Sequence, residues 1–127
     1  MSETITRTDL TNILNEILPN TSVDYIVEQG TSGGWSYRKW ASGRMEAEKD
    51  ISIGSSWSAV GGIYHNSTII TPPTGMTVTS GFANVKTSSA YLVNGQIQIG
   101  ADVYLEVHRL ASGSASFTYH VTLIGTY

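Results

Sequence analysis

The chain has 127 residues, a formal net charge of -3 and an isoelectric point near 5.4. Charged residues make up 13% of it and the seven basic ones are scattered, so we expect no nucleic-acid partner and no attraction to anionic lipid. The absence of cysteine excludes disulfides, thiolate metal sites and cysteine nucleophiles. A chain of this length is expected to form one domain around one core.

The first predicted element is a short amphipathic helix between Thr6 and Leu18. Thr6 is suited to cap it and Pro19 to end it, and apolar residues recur at helical spacing between them: Leu10, Ile13, Leu14, Ile17 and Leu18. This apolar stripe has two interpretations. The helix packs on the chain's own sheet, or Leu10, Ile13 and Ile17 form the seam of a multi-chain coiled stalk.

After residue 20 the hydrophobic pattern changes from helical spacing to strict alternation. Short alternating segments separated by turn residues predict strands at Val23–Gln29, Trp35–Trp40, Arg44–Ile53, Ser56–Val60, Ile63–Thr71, Met76–Val85, Ala90–Val93, Gln96–Ile99, Val103–Leu110 and Ser116–Ile124. We therefore expect a mainly β fold, an antiparallel β-sandwich or barrel with one short N-terminal α-helix.

Two predicted hairpins share the turn sequence Ala-Ser-Gly, at residues 41–43 and 111–113. A three-residue loop keeps apolar side chains on one face, and in the second hairpin it would pair Val107 with Phe117, Leu105 with Tyr119 and Val103 with Val121. The same register in the first hairpin sets Arg38 opposite Glu46 on one face. The other face then carries Trp35, Tyr37, Met45, Ala47, Ile51 and Ile53, which leaves Trp40 outside the core.

A third hairpin is predicted at Asn94-Gly95, since Asn-Gly is a strong signal for a two-residue turn. This turn would align Leu92 with Ile97 and Ala90 with Ile99 on the inward face.

One segment carries a family resemblance: Asp24-Tyr25-Ile26-Val27-Glu28-Gln29-Gly30-Thr31, then Gly34-Trp35-Ser36-Tyr37-Arg38-Lys39-Trp40-Ala41-Ser42-Gly43 and Glu46. It resembles the opening of the C-terminal head domain in tail-fibre, baseplate or minor structural proteins of phages and prophages of Gram-positive bacteria. That family usually has Cys or Trp, then Trp or Gly, after the glutamate, whereas Ala47, Glu48 and Lys49 stand here. The resemblance implies a β-structured, homotrimeric head, some members of which bind cell-wall or capsular saccharide.

Residues 1–20 are expected to form the amphipathic N-terminal helix, for which the end of a trimeric stalk is one of the two interpretations, and residues 21–127 the β-rich head domain. The residues Met1-Ser2-Glu3-Thr4 are acidic and lack the apolar segment of a signal peptide, and no apolar run is long enough to span a membrane, so we expect neither a signal peptide nor membrane insertion. The expected location is the virion tail, after assembly in the bacterial cytoplasm.

Catalytic and metal chemistry find little support in the residue pattern. Glu46 and Glu48 lie on the same face of a predicted strand, which is compatible with the carboxylate pair of a glycosidase. The alternative is a solvated strand face on which Glu46 forms an ion pair with Arg38. His108 and His120 are predicted to face the same way on partner strands, yet no pair of histidines has metal-ligand spacing. The double glycines at residues 33–34 and 61–62 lack the rest of a phosphate-binding loop. We expect no catalytic residues, no metal and no cofactor.

Exposed aromatic residues flanked by polar groups remain as recognition candidates. Trp57 between two serines and Tyr64 beside His65 and Asn66 are the predicted ligand-binding residues, because sugars stack on aromatic rings and bond to polar neighbours. The alternative is that such rings fill a subunit seam. The predicted interface residues are Leu10, Ile13, Ile17 and Trp40.

The sequence thus predicts a phage or prophage tail fibre or baseplate head module that binds a host-surface saccharide as a homotrimer. The expected partners are further copies of the chain, the saccharide and other tail proteins. A purely structural trimerising cap or connector is the alternative, and a glycan-cleaving domain is the third hypothesis.

Overall fold

The computed structural model describes residues 24–53, 57–86, 92–110 and 117–127. The predicted N-terminal helix lies outside these residues, as do its stripe residues Leu10, Ile13 and Ile17. In the described part the chain is almost entirely extended, and the predicted mainly β fold is confirmed.

The described residues form nine strands, and most lie within a few residues of the predicted positions. They are β1 (Ile26–Ser32), β2 (Trp35–Trp40), β3 (Arg44–Ile53), β4 (Ser58–Val60), β5 (Ile63–Ile70), β6 (Thr77–Val85), β7 (Leu92–Ile99), β8 (Val103–Arg109) and β9 (Phe117–Thr126).

These strands form two antiparallel sheets. The first sheet has the order β1-β2-β3-β9-β6 and the second has the order β4-β5-β8-β7. Within the described part, β1 and β6 are therefore the edges of the first sheet. Its centre is the long pair of β3 with β9, in which Arg44 pairs with Thr126 and Ile53 with Phe117.

The predicted register of the first hairpin is confirmed. Tyr37 pairs with Ala47 and Arg38 with Glu46, as the three-residue Ala-Ser-Gly loop requires. Gly43 has a φ of 93°, and its N–H donates to the carbonyl of Trp40 at 3.0 Å. A residue at positive φ is what this loop type needs, and glycine adopts it without steric cost.

The two double glycines make tight turns. Gly33 and Gly34 have φ values of 59° and 85°, and they join β1 to β2 where Ser32 pairs with Trp35. The pair at residues 61–62 joins β4 to β5 in the same way, with φ values of 58° and 88°. Two successive positive φ values define a two-residue hairpin turn whose twist suits the flanking strands.

The predicted hairpin of β8 with β9 is wrong. β8 pairs with β5 and β7 in the second sheet, whereas β9 pairs with β3 and β6 in the first. The predicted inward faces are nevertheless correct, since Val103, Leu105, Val107, Phe117, Tyr119 and Val121 are all buried. These side chains meet in the core from two sheets and not as cross-strand neighbours in one sheet.

The predicted hairpin at Asn94-Gly95 is also wrong. Both residues lie inside the continuous strand β7, where Gly95 pairs with Val107 of β8. A Cβ atom on Gly95 would stand 2.5 Å from Cε1 of Tyr119, which belongs to the other sheet. The glycine therefore makes room for an aromatic ring and does not form a turn.

The two sheets share one hydrophobic core. The first sheet contributes Trp35, Ala47, Ile53, Phe117, Tyr119, Val121 and Leu123, and the second contributes Ile70, Val103, Leu105 and Val107. One hydrogen bond also joins them, because the indole Nε1 of Trp35 donates to the carbonyl of Thr71 at 2.9 Å. Burial of these side chains is the main stabilising contribution that the described part offers.

Candidate functional site

The four predicted ligand-binding residues divide between two faces of the second sheet. Tyr64 pairs with Arg109 and Asn66 with Val107, and these partners point into the core. His65 lies between them on β5 and therefore points to the outer face. Trp57 precedes β4 and is half-buried. The ligand-binding role of these residues stays a prediction, but their side chains do not share one surface.

Trp57 belongs to a cluster at the end of the core. Its ring lies edge-on to Phe117, with 6.0 Å between the ring centroids. The guanidinium carbon of Arg109 lies 5.2 Å from the Trp57 centroid and 5.3 Å from that of Phe117. Asn66 is 8% exposed and accepts a hydrogen bond from Thr68 at 2.7 Å. This cluster holds aromatic rings against a buried cation.

Arg109 is not among the residues predicted from the sequence, although the alternation along β8 indicates its inward position. Val103, Leu105 and Val107 alternate inward along β8, and continuing the alternation by two residues places Arg109 on the same face. Arg109 is 5% exposed. An arginine at an inward position of a strand is unusual because burial of its charge is costly without a partner.

The predicted proximity of His108 and His120 is wrong, because they lie on different sheets. His108 instead pairs directly with His65 on the outer face of the second sheet, and their ring centroids are 6.3 Å apart. Among the described residues no group of three or more His, Cys, Asp and Glu side chains is placed to hold a metal ion.

His120 lies in a charged network on the outer face of the first sheet. Its Nδ1 is 2.8 Å from an oxygen of Asp50, and its Nε2 is 3.6 Å from Glu48. Lys86 donates to the other oxygen of Asp50 at 2.7 Å. The ammonium of Lys86, and then the ring of His120, hold the pKa of the Asp50 carboxyl below its ordinary value. Asp50 is exposed, but Lys86 and His120 already engage its two oxygens.

A shallow groove of ≈ 410 Å³ lies on the same outer face, across β1, β2 and β3. Alternation places its polar side chains together: Gln29, Thr31, Ser36, Arg38, Glu46 and Glu48. Their functional groups are an amide, two hydroxyls, a guanidinium and two carboxylates. Glu46 also pairs with Arg44, whose guanidinium carbon lies 5.4 Å from the ring centroid of Trp40.

Trp40 is half-buried and lies two residues from Arg38 on β2, hence on the groove's face. Its backbone carbonyl accepts a hydrogen bond from the hydroxyl of Tyr127 at 2.6 Å. The predicted role of Trp40 at a subunit interface stays a prediction.

A second cleft, of ≈ 490 Å³, lies between β3 and the segment that follows β5. Lys49 enters it, but its ammonium already donates to the carbonyl of Gly33 at 3.1 Å and lies 5.7 Å from the ring centroid of Trp35. The cation therefore helps to hold the β1–β2 turn.

No protein-family model, no characterised protein and no solved structure matches this chain. Within the described ranges there is no helix long and apolar enough to cross a membrane.

Proposed function

We propose that this chain is the head module of a phage or prophage tail fibre or baseplate protein and that it binds a host-surface saccharide. The observation that carries the proposal is the polar groove on β1, β2 and β3. These are the strands whose sequence resembles the phage head domains, so the resemblance and the candidate surface coincide.

The groove has the chemistry that a saccharide needs. Sugar hydroxyls both donate and accept hydrogen bonds, and the groove offers donors at Arg38 and Gln29 with acceptors at Glu46 and Glu48. Planar guanidinium and carboxylate groups can bond to two neighbouring hydroxyls at once. An open groove also accommodates a chain of sugar units, which a closed pocket would exclude.

We further propose that the two sheets pack face to face as a β-sandwich. The shared core supports this, as does the approach of Tyr119 in one sheet to Gly95 in the other. In such an architecture the outer face of the first sheet is free to carry a binding surface.

Binding would be reversible and multivalent. Three copies in a homotrimer present three grooves at a fixed geometry, so weak individual sites gain avidity on a repetitive polymer. We expect no catalysis, and we assign the module to the virion tail with the other tail proteins as its neighbours.

The proposal is tested by retention of the purified chain on host cell walls or on an array of surface glycans. Arg38→Ala and Glu48→Gln remove one donor and one acceptor from the groove without touching the core. Each is expected to weaken binding roughly tenfold, which corresponds to about 1.4 kcal/mol. Gln98→Ala is the matched control, because Gln98 is exposed on the second sheet.

Unchanged binding in both groove variants would contradict this location of the site. Trp57→Ala and Tyr64→Ala are less informative, since Trp57 packs against Phe117 and Tyr64 faces inward beside Arg109. Turnover of the polysaccharide that is lost in Glu46→Gln would instead indicate a glycan-cleaving domain.

The second candidate is a purely structural trimerising cap or connector of the tail. Exposed apolar side chains on and beside the edge strand β1 favour it, namely Tyr25, Ile26 and Val27. Intact trimers that bind no host glycan would support this function over the first.

A further inference from the structure

Arg109 is a buried cation with unused hydrogen-bond donors. It ends β8, faces inward and is 5% exposed. Its Nε and Nη1 atoms have no hydrogen-bond partner among the described residues. A guanidinium carries its charge at every physiological pH, so it cannot escape the cost of burial by losing a proton.

The aromatic neighbours of Arg109 do not supply the missing partner. Trp57 and Phe117 lie 5.2 and 5.3 Å from its guanidinium carbon, and their centroids are 6.0 Å apart. These three distances place both rings on one side of the guanidinium. Rings attract the cation but accept no conventional hydrogen bond from its N–H groups, so these two neighbours leave the Nε and Nη1 donors unsatisfied.

The described residues provide no counter-charge. None of the ion pairs in the described ranges includes Arg109. In the sequence, the residues directly before Trp57 and Phe117 contain no Asp or Glu: they are Gly54-Ser55-Ser56 and Ala111-Ser112-Gly113-Ser114-Ala115-Ser116. Buried charges in proteins are paired or bound to ions, so the arrangement calls for an anion from elsewhere.

We propose that Arg109, with Trp57 and Phe117, forms a binding site for an oxyanion, a carboxylate or phosphate carried by a ligand. The oxyanion accepts from the unpaired Nε and Nη1 donors while the rings exclude water from one side. Trp57 and Tyr64 are both half-buried, and Tyr64 is the partner of Arg109 on β5. This site is separate from the groove, which is on the other sheet's outer face, and it does not depend on the proposed function.

The test uses the full chain with inorganic phosphate and with acetate, each titrated at constant ionic strength against sodium chloride. The chain has four arginines, at positions 7, 38, 44 and 109, so its Nε–H nuclear magnetic resonances are few enough to assign. Saturable movement of the Arg109 Nε–H signal by phosphate or acetate is expected, together with a rise in Tm. The signal of Arg38 is expected to move less and without saturation.

Variants separate this site from general charge effects. Arg109→Met removes the guanidinium, and it is expected to weaken the apparent affinity for the oxyanion at least tenfold. Lys86→Met removes an exposed positive charge instead and is expected to leave the affinity unchanged. The wild-type resonance measurement does not depend on the folding of either variant.

Three results would overturn the proposal. The first is a wild-type chain whose Arg109 signal responds to neither anion. The second is an Arg109→Met variant that binds the oxyanion as tightly as the wild type. The third is a response that requires the combined substitutions Glu3→Gln, Asp9→Asn and Glu16→Gln, which neutralise the acidic residues of residues 1–23; this would show that the chain's own carboxylate occupies Arg109.

Discussion

At Gly95 the two sheets lie so close together that a side chain would have no room. Its hydrogen faces the ring of Tyr119, and a Cβ atom would stand 2.5 Å from Cε1, 2.8 Å from Cζ and 2.9 Å from the hydroxyl oxygen. Tyr119 is itself 3% exposed, so its ring has little room to move. The absence of a side chain at position 95 is thus a packing requirement of the core.

Gly95→Ala is therefore expected to destabilise the fold by about 1–3 kcal/mol, the usual cost of forcing extra volume into a packed core. Urea denaturation followed by far-ultraviolet circular dichroism measures this. Gly100→Ala is the matched control, because a Cβ atom at Gly100 meets no heavy atom within 4 Å. Equal midpoints for the two variants would contradict the close approach of the sheets at this point.

The same residue shows why one turn prediction failed. Asn-Gly is a turn signal because glycine accepts positive φ, but glycine also has the smallest volume, and sequence alone does not say which property is used. At Gly33, Gly34 and Gly43 the positive φ is used. At Gly95 the small volume is used, for a partner 24 positions away in the sequence that no local pattern identifies.

Among the elements, the β2–β3 hairpin was predictable in detail. Alternation sorted its faces and the turn fixed its register, so the pairing of Arg38 with Glu46 followed from local sequence. The strands β8 and β9 show the opposite case. Both alternate toward the same core, and two strands of different sheets that share a core give the same alternation as two strands of a hairpin. The pairings that distinguish them, β5 with β8 and β3 with β9, are non-local.

The two candidate sites also differ in how far local sequence predicts them. The groove's polar side chains lie on three consecutive strands joined by short turns, so their common face could be derived from local register. The cluster around Arg109 combines residues that precede β4, end β8 and begin β9. Alternation indicates that Arg109 points inward, but its aromatic neighbours depend on how the two sheets meet.

Trp35 links the two sheets through a hydrogen bond of its side chain. It begins β2, is 1% exposed, and its indole donates to the carbonyl of Thr71, the residue after β5. Trp35→Phe removes this donor and part of the buried ring, and it is expected to cost about 1–3 kcal/mol of unfolding free energy. Trp40→Phe is the control, with an expected cost under about 1 kcal/mol, since Trp40 is half-buried. Equal losses in urea denaturation would refute the special role of Trp35.

On the scale of the whole molecule, the two outer faces differ in charge. The first sheet presents Arg38, Glu46, Glu48, Asp50 and His120 outward. In the described part of the second sheet, the corresponding face carries Glu106 with the histidine pair His65 and His108. A polymer rich in hydroxyl groups finds more charge-assisted hydrogen bonds on the first face. This asymmetry is a further reason to look for recognition there.

The edge of the same sheet bears on assembly. Tyr25 is 62% exposed, Ile26 44% and Val27 50%. Tyr25 precedes β1 and the other two begin it, and the outer edge of β1 has no neighbour among the described strands. An edge that combines exposed apolar side chains with unpaired backbone groups is suited to pairing with another chain. In the proposed homotrimer, the β1 edge is the contact that the described residues favour.

Light scattering coupled to size exclusion tests this contact. The wild-type chain is expected to have three times the monomer mass of 13.7 kDa. Val27→Lys places a charge on the edge, where lysine opposes strand pairing, and is expected to shift the population to monomers. Val85→Lys changes a similarly exposed apolar residue at the other edge of the sheet and is expected to leave the trimer intact.

A monomeric wild type would refute the homotrimer and, with it, the gain in avidity on which weak binding in each groove depends. A trimer that survives Val27→Lys would move the contact away from β1, and the predicted stalk residues Leu10, Ile13 and Ile17 would then be the next to change.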